Sequence, residues 1–298
     1  VADRHYADVE GPGIERPEPN GKSVAVVGSG PAGLTAAWQL ARLGYQVRIL
    51  EAEAQPGGFL RHALPTYRLP QEVVEQDIAN VTALGVEIAC STPVNDLEAL
   101  KAEGYDAVLL ATGTPLATSL GVPGEESDGV LTGLDYLRQV SLGQAPDLTG
   151  KRVVVVGGGN VAMDTARTAR RLGALEVRVA YRRGRDQMPA HVAEVDDAQK
   201  EGITFEFLVA PVSVATNPGG AVTGLNCQKM QLGEPDSSGR RRPEPVAGSD
   251  FVLACDAVIS AIGMAPDHAP FDALTGVGTR NRLTADPTTQ PTEGPSPV

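Results

Sequence analysis

Cysteine is scarce in this sequence. Cys90, Cys227 and Cys255 lie far apart, and no C-x-x-C pair occurs. Disulfide reduction needs a dithiol beside its cofactor, so its absence argues against that chemistry. An iron–sulfur cluster takes about four cysteine ligands, which three scattered thiols do not supply. Three lone thiols fit a reduced, cytoplasmic setting. Positive charge is also short: 25 Lys and Arg against 37 Asp and Glu give a formal net charge of −12. That balance argues against a nucleic-acid-binding surface. No run of eighteen apolar residues occurs, so no membrane-spanning helix is expected. Aromatics are only 4%, but 42% of residues are hydrophobic, which excludes a disordered chain.

What is abundant is glycine (34) and proline (23) in a chain of 298 residues, long enough for two domains. The glycines matter most in VAVVGSGPAGLTAAWQLARLGYQVRILE, Val24 to Glu51. Val24 to Val27 reads as a buried parallel strand, Ala32 to Leu43 as a helix packed on a sheet, and Val47 to Leu50 as a second strand. Between strand and helix, Gly28, Gly30 and Gly33 stand at G-x-G-x-x-G spacing. Gly28 permits the tight turn, Gly30 lets backbone approach a pyrophosphate, and Gly33 lets helix and strand pack closely. The helix N-terminus, opened by Pro31, offers free N–H groups to an anion. Glu51, eighteen residues past Gly33, is placed to accept hydrogen bonds from an adenosine ribose.

The pattern returns later. Val153 to Val156 is a β-branched strand, Gly157, Gly159 and Ala162 give G-x-G-x-x-A, Asp164 to Leu172 continues a helix, and Glu176 to Tyr181 is the next strand. The two units differ where the second strand ends: Glu51 in the first, Arg182, Arg183 and Arg185 in the second. A carboxylate suits a free 2′-hydroxyl, whereas guanidinium groups suit a 2′-phosphate through forked hydrogen bonds. The first unit is therefore expected to hold FAD or NAD, and the second NADPH.

Between and around these units the reading is coarser. Residues 1–22 form an extended lead-in, Gly57-Gly58 allows either close approach to a ligand or a plain turn, and Leu64 to Pro70 is a rigid loop. Residues 71–84 and Asp96 to Glu103 read as helices, with a short strand at Val86 to Cys90. Residues 114–150 read as a linker with one helix near Leu134 to Val140. Ile203, Phe205 and Phe207 alternate, Asn217 to Gly220 is a turn, and Val222 to Leu232 is a returning strand, a small antiparallel meander. Arg240 to Arg242 is expected in an exposed loop. DAVLLATG, ending at Gly113, and DAVISAIG, ending at Gly263, are alike and are expected to mark two crossings between domains.

GGFLRHALPTYRLP, GGGNVAMDTARTARRLGA and VAYRRGRDQMPA, together with the two nucleotide units, resemble the small (beta) subunit of NADPH-dependent glutamate synthase and its relatives. Those relatives include part of dihydropyrimidine dehydrogenase and the ferredoxin-linked transhydrogenases. The resemblance covers nearly the whole chain. It implies an α/β fold with two Rossmann-like domains: an FAD domain at 23–113 and 264–298, and an inserted NADPH domain at 114–263 carrying the meander. It implies hydride transfer from NADPH to FAD and onward transfer to iron–sulfur clusters or an electron-accepting partner such as the glutamate synthase large subunit. A non-catalytic nucleotide-binding scaffold stands as the alternative of another class.

On that model Gly28, Gly30, Pro31, Ala32, Gly33, Glu51, Gly58, Leu60, Arg61, Val94 and Gly113 contact FAD. Gly157, Gly159, Asn160, Val161 and Ala162 cradle the NADPH pyrophosphate, Arg182 and Arg183 hold its 2′-phosphate with Arg185 as a further candidate, and Gly263 joins the cofactor-binding set. No catalytic side chain and no metal are implied, since the flavin carries the chemistry. His62 and His191 are expected to be structural or surface residues, and Asp164 to pack or cap locally. The chain opens on VADR and closes on DPTTQPTEGPSPV, and His62 and Ala63 replace the family's more usual Tyr and Gly. The expectation is a piece of a longer protein, lacking an N-terminal cysteine-rich domain and part of the FAD domain.

Overall fold

The computed structural model describes residues 16–235 and 241–267, with the backbone at 277–278 and 282–283. The expected lead-in as far as residue 15, Arg240, and most of the expected FAD-domain segment beyond residue 267 lie outside the described residues. The chain divides into two compact units. One is drawn from Val1–Gly58, Glu75–Leu116 and Ala265–Val298, the other from Phe59–Val74 and Ala117–Met264.

In chain order the first part runs β1 (Ser23–Val27), α1 (Pro31–Arg42), β2 (Gln46–Leu50), a short α2 (Phe59–His62), α3 (Gln71–Ala83), β3 (Glu87–Ala89), α4 (Leu97–Ala102) and β4 (Ala107–Leu110). The strands form a parallel sheet in the order β3-β2-β1-β4. Parallel strands covered on both faces read as unbroken apolar runs. Val24, Ala25, Val26 and Val27 are accordingly all buried. α1 turns Gly33, Leu34, Ala37 and Ala41 inward, the one-sided spacing of a helix lying on a sheet. Each fully buried Val or Ile side chain contributes roughly 1.5–3 kcal/mol.

The second part runs β5 (Leu116–Ala117), β6 (Val130–Thr132), α5 (Gly133–Ser141), β7 (Arg152–Val156), α6 (Asn160–Arg171), β8 (Glu176–Tyr181), α7 (Val192–Lys200), β9 (Thr204–Phe207), β10 (Val209–Thr216), β11 (Val222–Pro235), β12 (Arg241–Ala254), β13 (Ala257–Ser260) and β14 (Met264–Ala265). Its parallel sheet has the order β6-β13-β7-β8-β9, and β10-β11-β12 form an antiparallel meander.

Four details differ from the sequence expectation. The segment read as a linker contributes β6, an edge strand of the parallel sheet. The alternating Phe205 and Phe207 lie on β9, which pairs in parallel with β8 rather than joining the meander. The reason is Leu208, whose φ of 56° breaks the extended chain between β9 and β10. Arg241 and Arg242 lie in β12, not in a loop, and both are exposed. Phe59–Val74 falls with the second unit, where Tyr67 and Arg68 are bonded to α6.

The two look-alike segments have one structural job in each sheet. Asp106 Oδ2 accepts from Ser23 N at 2.7 Å, and Asp106 N donates to Ser23 O at 3.0 Å. Asp256 Oδ2 accepts from Arg152 N at 2.8 Å, and Asp256 N donates to Arg152 O at 2.8 Å. Each Asp thus fixes the register of its strand against the glycine-loop strand. Arg152 also grips Asp256 through its guanidinium, which pulls that carboxyl down to about 2. At the other end, Ala111 N donates to Val27 O and Ala261 N to Val156 O.

Candidate functional site

Each sheet places a glycine loop at the carboxyl end of an inner strand, β1 between β2 and β4, and β7 between β8 and β13. The strand order reverses there, with the next strand in sequence on one side and a later one on the other, and ligands bind at such switch points.

In the first loop, Gly28 has φ +101°, and a Cβ there would stand 2.5 Å from the Ala111 carbonyl oxygen. A Cβ on Gly33 would collide with the Gly28 carbonyl. Gly30 is different: its φ is −68° and a Cβ would meet nothing within 4 Å. The protein itself does not require glycine at position 30. An open space at that point fits the close approach of a ligand's phosphates. Gly30 is also the N-cap of α1, without a side-chain cap and with no acidic residue in the first turn. The helix-end N–H groups and the helix dipole are left to favour an anion.

Glu51 is buried beside this loop. Its carboxylate accepts from Ser29 N at 2.8 Å, from the Ser29 hydroxyl, and from Glu53 N at 2.8 Å. A carboxylate has about four acceptor positions, so room for one further donor remains. Ser29 Oγ also accepts from Gly57 N at 3.0 Å, which ties the 51–58 loop to the glycine loop. Gly58 completes this side, a Cβ on it lying 2.8 Å from Gly30 Cα. Pro31 and Ala32 are exposed on the first turn of α1. Val94 packs, partly buried, on the cluster of Ala25, Val27, Leu50, Leu97 and Leu100, and Gly113 lies exposed beyond β4. Leu60 and Arg61 lie on α2 in the second unit.

The second loop lines a cavity of about 720 Å³, the size range of small-molecule sites. Gly157, Gly159, Asn160, Val161, Arg182, Arg183 and Gly263 all line it. Ala162 sits beneath, fully buried. A Cβ on Gly157 would clash with the Ala261 carbonyl, whereas one on Gly159 would meet only Pro189 Cγ at 3.9 Å. The second glycine is again open, and α6 again starts without a side-chain cap. Among the described residues the guanidinium groups of Arg182 and Arg183 have no hydrogen-bond or ion-pair partner, whereas Arg185 pairs with Asp196 at 2.5 Å and Gln199 at 2.8 Å. Arg185 is therefore turned to α7 and does not line the cavity.

Sequence reasoning missed Ser29, an unspecified position of the first motif, and Tyr181, Pro189 and Ser260, which line the second cavity. Asp164 does not cap a helix. It is buried and paired with Arg68, which also reaches Glu194 at 2.7 Å. Arg167 bridges Glu194 and Glu201 at 2.7 and 2.9 Å, and Tyr67 lies under the guanidinium groups of Arg167 and Arg171. Burial pushes Asp164 up to about 6, against the opposite pull of Arg68. His62 is buried, and His191 N donates to Asn160 Oδ1 at 3.1 Å. None of the three cysteines is in a disulfide.

Two glycine-loop sheets of this kind define an α/β oxidoreductase-type nucleotide fold. A family model described as pyridine nucleotide-disulphide oxidoreductase matches residues 22–294, and the chain belongs to that family. It is 47% identical to the NADP(+)-dependent formate dehydrogenase subunit beta of Moorella thermoacetica, over 93% of this chain and 40% of that protein. It is 39% identical to the glutamate synthase [NADPH] small chain of Escherichia coli (strain K12), over 83% of this chain and 55% of that protein. The chain thus spans about half or less of these relatives' lengths. Mycobacterium tuberculosis FprA in complex with NADPH has the same fold, with a TM-score of 0.71 at 21% identity, over 85% of this chain and 73% of FprA. Among the described residues no helix is long and apolar enough to cross a membrane, and no cluster of His, Cys, Asp and Glu could hold a metal ion.

Proposed function

We propose that this chain is the NADPH-dependent flavin oxidoreductase module of a larger cytoplasmic enzyme, with FAD on the first cradle and NADPH on the second. The observation that carries the reading is the pair Arg182 and Arg183, without a side-chain partner among the described residues, at a glycine-floored cavity, set against buried Glu51 at the other cradle. FAD supplies the redox chemistry when bound, accepting the hydride that NADPH donates. The chain's own residues bind and orient. Gly28, Gly30 and Gly33 admit the FAD pyrophosphate to the α1 N-terminus, and Glu51 uses its remaining acceptor position for a ribose hydroxyl. Gly58, Leu60, Arg61, Val94 and Gly113 belong to the same assignment. In the second cradle Gly157, Gly159 and Ala162 shape the turn, Asn160 and Val161 offer the helix end, and the two arginines take the 2′-phosphate by charge-assisted hydrogen bonds. Arg185 is not needed, since its guanidinium is already committed.

The electrons then pass to iron–sulfur clusters or a partner subunit. In the first form of the proposal that partner is a glutamate synthase large subunit, and the reaction served is L-glutamate formation from 2-oxoglutarate and glutamine. The higher identity to a formate dehydrogenase beta subunit favours a second form, in which the same module serves a different oxidoreductase. The test is anaerobic addition of NADPH to the chain reconstituted with FAD. Bleaching of the flavin absorbance is expected; nucleotide binding without bleaching contradicts the reductase reading and leaves a scaffold. In parallel, Arg182→Ala with Arg183→Ala is expected to weaken NADPH at least 10-fold more than NADH, about 1.4 kcal/mol or more, measured by calorimetric titration.

A further inference from the structure

The segment that carries Arg182 and Arg183 is itself tightly stitched. Tyr181 Oη donates to the Gln187 carbonyl oxygen at 2.8 Å. Gly184 N donates to Gln187 Oε1 at 3.1 Å, and Gln187 N donates to Gly184 O at 3.1 Å. Residues 181–187 therefore close into a loop whose ends are bonded to each other. The next residues bind the glycine loop: Ala190 N donates to Gly158 O, and His191 N to Asn160 Oδ1, both at 3.1 Å. The Tyr181 ring lies so close beneath Gly158 that no Cβ would fit there.

Arg182 and Arg183 sit inside this closed loop with no side-chain partner among the described residues. Long exposed side chains lose rotamer freedom on binding, at about 0.5–1.5 kcal/mol each. A fixed backbone lowers the cost of bringing both to one phosphate, and Leu208 N, donating to the Arg183 carbonyl oxygen at 3.1 Å, adds to it. We propose that Tyr181 and Gln187 are positioning residues that set the selectivity of the second cradle for a dinucleotide bearing a 2′-phosphate. This rests on the reading that the cradle takes NADPH. The closed loop holds the Arg182–Arg183 backbone so that both guanidinium groups reach one phosphate. Freed, the loop still leaves the glycine floor able to take the pyrophosphate. Loss therefore falls on the 2′-phosphate and not on the dinucleotide as a whole.

The test is calorimetric titration of the full 298-residue chain with NADP+ and with NAD+. Tyr181→Phe keeps the ring under Gly158 and removes only the hydroxyl. Gln187→Ala removes the acceptor for Gly184 N and keeps the backbone acceptor. Each variant is expected to lower the ratio of NADP+ to NAD+ affinity by about 5-fold, the effect of one net hydrogen bond. An unchanged ratio in both variants, or equal loss for both nucleotides, overturns the proposal, since a merely structural role would weaken both alike. If one variant fails to fold, the other decides. The Arg182→Ala/Arg183→Ala chain separates the two levels. A collapsed ratio there with intact ratios in Tyr181→Phe and Gln187→Ala overturns the clamp alone, whereas an unchanged ratio there overturns the NADPH reading and the clamp with it.

Discussion

The two glycine cradles share a backbone plan and differ in how their charged ends are held. Glu51 is buried and takes three hydrogen bonds from Ser29 and Glu53, so its carboxylate is built into the first loop. Arg182 is exposed and Arg183 half-buried, and only the backbone around them is fixed. The acidic end is thus fixed by the protein itself, whereas the guanidinium groups of the basic end have no partner among the described residues. In both units the charged group stands at the end of the second strand, but Glu51 is buried there while Arg182 and Arg183 line the cavity.

The sharpest break of this comparison comes at the third position of each motif. Gly33→Val drives a side chain into the Gly28 carbonyl. It is expected to cost more than about 3 kcal/mol and to unfold the first unit. Ala162→Gly, the matching change in the second unit, is expected to cost about 1 kcal/mol. Urea denaturation followed by circular dichroism checks both, and a loss under about 1 kcal/mol in Gly33→Val would contradict the close packing at that position.

Next in size is removal of the charged ends. Glu51→Ala leaves Ser29 N, the Ser29 hydroxyl and Glu53 N without their acceptor. A loss of about 2–3 kcal/mol is expected. Arg182→Ala with Arg183→Ala removes no side-chain bond among the described residues and is expected to stay within about 0.5 kcal/mol of wild type. Unfolding midpoints for the two variants should therefore separate clearly, and a large loss in the arginine variant would contradict a free, ligand-directed pair.

The smallest effect is a pH dependence confined to the second unit. Asp164, facing Arg68, Tyr67 and Glu194, is held up to about 6 by burial. A folded-state carboxyl raised above its unfolded value near 4 binds more protons folded than unfolded between those pH values. Its penalty is thus full above about pH 6 and is relieved as pH falls toward 4. Asp256, pulled down to about 2 by Arg152, has the opposite sign: its stabilisation is present above about pH 4 and lost as pH falls through 2. Because Asp256 is 38% exposed at its side chain, screening limits that contribution to under about 1 kcal/mol. Melting temperatures of Asp164→Asn across pH 4–7 should lack the fall between pH 4 and 6 that Asp164 is expected to give the wild type, while Asp256→Asn changes only the acid limb. A wild-type slope unchanged in Asp164→Asn would remove Asp164 as its source.

Much of the fold was legible because each sheet is announced by a β-branched run, a glycine turn and a helix with one apolar face. Local patterns of that kind do not name partners. β6 is only three residues long, too short for a period, and so its place in the parallel sheet was hidden. α7 buries only Val195 and Ala198, which leaves little apolar rhythm to read. The alternation of Phe205 and Phe207 marked a strand, but nothing before Leu208 said that its neighbour would be β8. At the sites, the glycines and the acidic-versus-basic contrast were visible. The service residues were not: Ser29 occupies a free position of the motif, and the Arg68–Asp164 pair joins residues distant in sequence.

The most direct test is a structure of the chain with FAD and NADP+ bound together. The account predicts the FAD ribose on Glu51 and the NADP+ 2′-phosphate on Arg182 and Arg183. The same nucleotide in both cradles, or NADP+ bound away from the two arginines, would contradict it.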